Sequence, residues 1–376
     1  MEVPLSRPDI SPKERELVQQ VMATDYLSMG PMLPRFEGAM AKFIGSSYAV
    51  GVSSGTAGLH LAMKCLGIGP GDEVITTPFS FVASANCILY EGATPVFVDV
   101  DPYTLNIAPE LIEEAINPRT RGILPVHIFG QPCDMGPIME IAKRHSLMVV
   151  EDACEAIGAE YLGRKVGTFG RASVFAFYPN KQMTTGEGGI IVIDDPEWAE
   201  LCGSLRNQGR ETGDQWLRHV RLGYNYRLDE LSAALGVAQL ERIQELLDKR
   251  GRVAAMYDER LQGIEGLEIP YVSPKTTRMS WFVYVVRLHS SLDRHKVARD
   301  LAAAGIPTRP YFTPIHLQPF YVERYGYKPG DFHHAEAAGS STLALPFHAN
   351  LSGEEIDYVC ENLRNVVASA MFFGGH

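Results

Sequence analysis

The sequence predicts an α/β protein: a large domain with a mostly parallel sheet sandwiched by helices, plus a smaller C-terminal α/β domain. Three observations carry this. From residue 48 to about 150, short apolar runs alternate with helical patterns, the succession that builds a parallel sheet covered on both faces. Beyond Asp229 a long helical stretch follows, and from about residue 250 a second, shorter mixture of strands and helices begins. The length of 376 residues also exceeds what one small core organises, so two domains are the natural division. The large domain is expected over 1–249, with an N-terminal helical segment, and the small domain over 250–376.

Each element follows from local chemistry. Ser11-Pro12-Lys13-Glu14 opens a helix with a capping serine, proline at the first position and an acid in the first turn. Leu17, Val18, Val21 and Met22 give it an apolar face, and a second helix runs through Phe36, Met40 and Phe43. Strands are expected at 48–52, 73–77, 95–100, 123–127 and 147–150, with helices at 59–66, 82–90, from Pro109, and at 135–145. A strand over 190–193 precedes a helix from Asp229 to about Leu261 that no proline interrupts. The tail reads as a strand over 279–286, helices over 295–304 and 353–368, and a strand over 342–346.

Composition narrows the class. Hydrophobic content of 45% with 21% charged residues describes an ordinary globular chain, and a net charge of −11 argues against non-specific nucleic-acid binding. Six scattered cysteines without a Cys-x-x-Cys pair read as reduced thiols of a cytosolic enzyme. No apolar targeting core opens the chain and no stretch of about 18 apolar residues spans a membrane, so a soluble cytoplasmic protein is expected. The histidines His127, His316 and His333-His334 form no metal spacing.

The chemistry concentrates around Lys181. It lies in Phe177-Tyr178-Pro179-Asn180-Lys181, ahead of Gly186-Glu187-Gly188-Gly189, a run that permits tight backbone; Phe175 to Tyr178 reads as buried. Upstream, Glu151-Asp152 closes an apolar strand. A lysine that forms a Schiff base with pyridoxal phosphate needs a distant carboxylate to keep the pyridine nitrogen protonated, and Lys181 with Asp152 suits that division of labour. Glu151, its neighbour on the strand, is expected to point away. Ser53-Ser54-Gly55-Thr56 lies between a strand and a helix and offers free N–H groups to a phosphate, although many such turns hold Ser and Gly without a ligand. Phe81 follows a strand at the sheet edge where α/β proteins bind ligands; core packing is the commoner fate of such a ring, stacking on a pyridine the functional one. Gly67-Ile68-Gly69-Pro70-Gly71-Asp72 precedes a strand and reads as a plain turn, not a dinucleotide loop.

Taken in order, Gly30-Pro31, Ser54-Gly55-Thr56, Glu151-Asp152-Ala153, Lys181 with Thr184-Thr185-Gly186-Glu187-Gly188-Gly189, Gly223-Tyr224-Asn225-Tyr226-Arg227, Pro314-Ile315-His316 and Leu345-Pro346 resemble the nucleotide-sugar aminotransferases of the DegT/DnrJ/StrS group, with the type I aspartate-aminotransferase fold. The resemblance covers nearly the whole chain. It implies that Lys181 is the Schiff-base lysine and proton shuttle, that Asp152 pairs with the pyridinium, that Phe81 stacks on the ring, and that Gly55 and Thr56 hold the phosphate. It implies further that Asn225, with Arg227 nearby, reaches the cofactor of a neighbouring subunit in a homodimer. L-Glutamate would convert pyridoxal phosphate to pyridoxamine phosphate, which would aminate a 4-keto-6-deoxy nucleotide sugar in cell-surface polysaccharide or amino-sugar biosynthesis. Related dehydratases carry His where this chain keeps Lys181. Tyr178, Arg227 and His316 are candidate substrate contacts, along with the loops 27–33, 206–221 and 311–316. Arg206, Arg210, Arg218 and Arg221 are either anion contacts or solvated charge.

Two positions depart from the family pattern. Ala176 replaces a common serine that gives a hydroxyl to the phosphate. Glu155 stands where Gln or His is common, beside the cofactor's phenolic oxygen, and is expected to share a proton with it or turn away. A 3-keto sugar or a cyclitol is the alternative acceptor, and a non-catalytic cofactor-binding regulator the alternative of another class.

Overall fold

The computed structural model describes residues 1–211 and 217–373, the side chains of 372 and 373 excepted. Helices α1 (Pro12–Met22) and α2 (Met32–Ile44) precede the sheet. The Ser11 hydroxyl and Glu14 carboxylate form a reciprocal cap on α1, with Pro12 at its first position. The chain then alternates β1 (Tyr48–Val52), α3 (Gly55–Leu66), β2 (Glu73–Thr76), α4 (Ala83–Tyr90), β3 (Thr94–Phe97), α5 (Pro109–Ile112), β4 (Thr120–Ile123), α6 (Met135–Arg144) and β5 (Met148–Asp152). A ribbon, β6 (Glu160–Tyr161) and β7 (Arg164–Lys165), leads to β8 (Ala172–Ala176) and β9 (Gly189–Ile193). Next come α7 (Pro196–Arg206), α8 (Glu230–Glu241) and α9 (Ile243–Leu261). The remainder holds β10 (Leu267–Glu268), β11 (Thr276–Arg278), β12 (Tyr284–Leu288), α10 (Arg294–Ala303), α11 (Pro319–Tyr325), α12 (His333–Ser341), β13 (Thr342–Leu345) and α13 (Gly353–Phe373).

Among the described residues the main sheet has seven strands in the order β1-β9-β8-β5-β4-β2-β3. From β8 through β5, β4 and β2 to β3 every pairing is parallel; β9 alone runs against its neighbours β8 and β1. The C-terminal ends of β1, β2, β5 and β8 therefore share one edge, where open α/β sheets collect their ligands. Helix α3 packs on one face with Leu59, Leu61 and Met63 fully buried, while Phe36, Met40 and Phe177 fill the core on the other. A smaller antiparallel sheet, β10-β12-β13, carries a separate core with Tyr257, Tyr284 and Leu363.

The expected alternation is present, and two local readings need correction. The single helix from Asp229 to Leu261 is two, α8 and α9, broken at Arg242, which leaves helical geometry at φ −120° and ψ 21°. No proline causes the break. The Arg242 guanidinium reaches the N-terminal arm, donating to Glu14 Oε1 at 2.7 Å and to the Asp9 carbonyl at 2.8 Å, a tertiary pull that local sequence does not show. The expected boundary at 249/250 falls inside α9, whose Leu247 belongs to the core behind β8 and β9 and whose Val253 belongs to the other. Finally, Phe175 and Phe177 are buried but Tyr178 is 53% exposed.

Candidate active site

A cavity of about 430 Å³ opens at the shared strand edge, lined by Gly55, Thr56, Phe81, Asp152, Glu155, Tyr178 and Lys181 among others. Each residue arrives there for a topological reason. Gly55 and Thr56 start α3 directly after β1, with Ser54 capping the helix through Ala57 N–H at 3.1 Å. The amides of Gly55 and Thr56 point off the free end of the helix, the arrangement that suits a phosphate. Glycine at 55 is required by packing: a Cβ there would lie 2.7 Å from Ala176 Cβ and 3.0 Å from Cys154 Sγ. Gly189 is required likewise, because a Cβ would come 2.5 Å from the Ser54 carbonyl. The glycine run after Lys181 thus lets β9 meet the α3 turn.

Asp152 ends β5. Its carboxylate accepts the Ser84 hydroxyl at 2.7 Å and the Cys154 N–H at 3.1 Å, and Ser84 is bonded in turn to Ser80 at 2.8 Å. Glu151 faces the other way, as strand alternation demands. It accepts N–H groups of Gly167, Phe169 and Gly170 at 2.8–2.9 Å and lies 3.2 Å from His127 Nε2. Because Cys133 N–H donates to His127 Nδ1, the imidazole proton sits on Nε2 and points at Glu151. Burial pushes the Glu151 carboxyl up, but His127 and the amides outweigh it and hold the group below its usual range.

Lys181 Nζ lies 3.5 Å from Glu155 Oε1 and 3.9 Å from the centre of the Phe282 ring. The other Glu155 oxygen accepts Phe129 N–H at 2.9 Å. Burial raises the Glu155 carboxyl above its ordinary range, opposed by Lys181 and the Phe129 amide and reinforced by Asp152. Glu155 therefore points into the site. Phe81 is 59% exposed at the cavity wall, so it is no core ring.

The structure does not bring every expected residue here. His316 is fully buried, bonded to Glu336 at 3.0 Å with Nδ1 unpartnered, and it does not line the cavity. Asn225 is exposed and Arg227 donates to Asn207 Oδ1 at 3.0 Å; both lie off the cavity wall of their own chain. Tyr224 and Tyr226 stack on each other and pack on His60, and the alternation of an extended segment turns Asn225 outward. Arg206 bonds the Gly51 carbonyl at 2.6 Å and pairs with Glu37; Arg218 pairs with Glu211 at 2.7 Å. Residues 212–216 of the expected 206–221 loop lie outside the described residues. Sequence reasoning missed Ser84 and Phe282. Ser84 follows Ser80 by one helical turn, a readable signal; Phe282 sat within an apolar run that signals only a strand.

The DegT/DnrJ/EryC1/StrS aminotransferase family matches residues 8–364. The chain belongs to this family. It is 42% identical to a GDP-perosamine synthase of Caulobacter vibrioides over 369 residues, covering 97% of this chain and 98% of that one. It is 38% identical to the spore coat polysaccharide biosynthesis protein SpsC of Bacillus subtilis over 381 residues, 98% of each chain. The solved PLP-form of Spr1654 from Streptococcus pneumoniae superposes with a TM-score of 0.92 at 28% identity, covering 98% of this chain and 100% of that one. The family member described here is accordingly a pyridoxal-phosphate-dependent aminotransferase with the family's α/β fold. Its cavity fits that cofactor: helix-end amides without a partner among the described residues, a hydrogen-bonded buried aspartate and a lysine amine face one space of adequate volume. No helix among the described residues is long and apolar enough to cross a membrane.

Proposed function

We propose that this aminotransferase moves an amino group from L-glutamate to the keto carbon of a nucleotide sugar, with a 4-keto-6-deoxy sugar as the acceptor. One observation carries the acceptor's size. A groove of about 760 Å³ walled by Tyr90, Phe320 and Arg324 adjoins the cavity, sharing Ser80, Phe81 and Phe312 with it, and together they offer far more room than an amino acid needs. Aromatic faces and one guanidinium suit a base and its phosphates. The name of the Caulobacter relative favours a GDP-linked sugar as the first to try.

Bound pyridoxal phosphate supplies the electron sink and carries the amino group between the two substrates. The chain's own residues do the rest. Gly55 and Thr56 amides hold the phosphate, and Asp152, fixed by Ser84 and the Cys154 amide, keeps the pyridine nitrogen protonated. Phe81 would stack on the ring, Lys181 Nζ would take and return the proton at the reacting carbon, and Glu155 would share a proton with the phenolic oxygen. Tyr178 stands at the rim as a substrate contact. His316 acts indirectly, tying the Pro314–Ile315 turn to Glu336.

The site's charge supports a homodimer. Among the described residues the cavity is lined by Asp152, Glu155 and Glu187 against Lys181 alone, without Arg or His. A wall so acidic needs outside cations to accept a phosphate and a dicarboxylate. Outward-facing Asn225 and Arg227, beside Leu222 at 81% exposure, are suited to serve a second copy's cavity. This cytoplasmic homodimer would serve polysaccharide or amino-sugar synthesis.

The test is a screen of keto-sugar nucleotides with glutamate, with product NMR to locate the new amine. Amination at C4 of a GDP- or dTDP-linked 4-keto-6-deoxy sugar is expected; turnover only of a 3-keto sugar or a cyclitol overturns that acceptor. A cofactor absorbance band that no amino donor bleaches would overturn catalysis altogether.

A further inference from the structure

The two main cores meet on one helix. α9 places Ile243, Leu246 and Leu247 in the core behind β8 and β9, and Val253, Ala254, Tyr257 and Leu261 in the core of the C-terminal part. Arg250 lies between them, 3% exposed, and among the described residues it faces no carboxylate. Its Nε donates to the Trp281 carbonyl at 2.8 Å, and Nη2 donates to the carbonyls of Phe282 at 2.7 Å and Asn180 at 3.2 Å. The guanidinium also lies 5.2 Å from the centre of the Phe347 ring. Burial pushes it down to about 10, which leaves it charged at neutral pH. An unpaired buried cation is costly, and apolar packing would fill the same volume without that cost. What only the fork of donors supplies is a simultaneous hold on three carbonyls.

Two of those carbonyls belong to residues that adjoin Lys181, one in sequence and one in space. The Asn180 carbonyl belongs to the peptide leading into Lys181, and Phe282 carries the ring under which Nζ sits at 3.9 Å. Gln182 ties the same two segments a second time, donating to Ser280 O at 3.0 Å and Ser280 Oγ at 2.9 Å. We propose that Arg250 is a positioning residue for Lys181: by joining the Asn180–Lys181 peptide to Phe282 across α9, it sets where the amine stands between Glu155 and the aromatic ring. The placement of the C-terminal core is thereby transmitted to the reacting nitrogen. This deepens the reading of Lys181 as the reacting lysine and rests on it.

The test uses the full chain freed of cofactor. The pH dependence of Lys181 acetylation by acetic anhydride, read by peptide mass, reports the amine's surroundings without any turnover. In Arg250→Gln the labelling midpoint is expected to shift and kcat of the reloaded enzyme to fall about 10- to 100-fold, with KM for glutamate changed by no more than about two-fold. Arg250→Lys should recover part of both. Tyr257→Phe, which removes a buried bond to the Pro346 carbonyl in the same region, should lower the melting temperature and leave midpoint and kcat as in wild type. A wild-type midpoint and kcat in Arg250→Gln, measured where it is folded, overturns the proposal. If that variant does not fold, Arg250→Lys decides by the same criterion. Labelling reads the amine itself, so its failure is separable from failure of the transaminase reading, which borohydride trapping of cofactor on Lys181 tests alone.

Discussion

Glu155 and Lys181 face each other across 3.5 Å at the floor of the cavity, and the carboxylate is additionally held by the Phe129 amide. The pair is not a simple ion pair, because burial raises the Glu155 carboxyl despite the ammonium beside it.

That direction fixes a pH dependence. A carboxyl raised on folding disfavours the folded state once it ionises, so its unfavourable contribution is absent below the ordinary value of 4.5 and grows as pH rises through the higher folded value. Glu155→Gln stands in for the protonated form. The melting temperature of the cofactor-free variant, relative to wild type, should therefore climb with pH from the ordinary value of 4.5 up to the folded value and level off beyond it; a pH-independent difference would show that Glu155 titrates normally.

Ala176 lies against Gly55 under the helix-end amides. Restoring a hydroxyl with Ala176→Ser should add one phosphate hydrogen bond of about 1 kcal/mol, tightening cofactor binding about five-fold in equilibrium dialysis. Unchanged affinity would mean another donor already fills that place.

Gly55→Ala forces a methyl to 2.7 Å from Ala176 Cβ, where neither partner can swing aside. A loss of about 1–3 kcal/mol in denaturant unfolding is expected, with weaker cofactor binding, since α3 must back away from β8.

Glu14 tests the N-terminal arm. Burial raises its carboxyl, but donors from Ser11, Arg242 and Gln239 prevail and hold it at about 2. A depressed carboxyl stabilises above its unfolded value of 4.5 and loses that contribution as pH falls toward about 2. Glu14→Gln should cost about 2 kcal/mol near neutral pH, shrinking to nothing in strong acid. A difference that persists in acid would assign the loss to packing.

The β/α alternation and the order of motifs were legible because both are local: apolar periodicity places β1 to β5, and Lys181, Asp152, Gly55 and Phe81 sit on turns whose position follows from those strands. What sequence could not show depends on distant partners. The break at Arg242 comes from Asp9 and Glu14, more than 200 residues away in the chain. His316 reads as a substrate contact from its motif, yet its ring is spent on Glu336 and Phe332. Ser84 and Phe282 matter only because folding sets them against Asp152 and Lys181.

Strand β5 ends in two consecutive carboxylates with opposite addresses, Glu151 gripping the loop at 167–170 and Asp152 facing the cavity. Such a strand tolerates no drift in length. A one-residue insertion or deletion between Met148 and Glu151 would trade the two faces at once, stranding a loop anchor in the cavity and a ligand-facing group in the interior. The register at the end of β5 is therefore held from both faces at once.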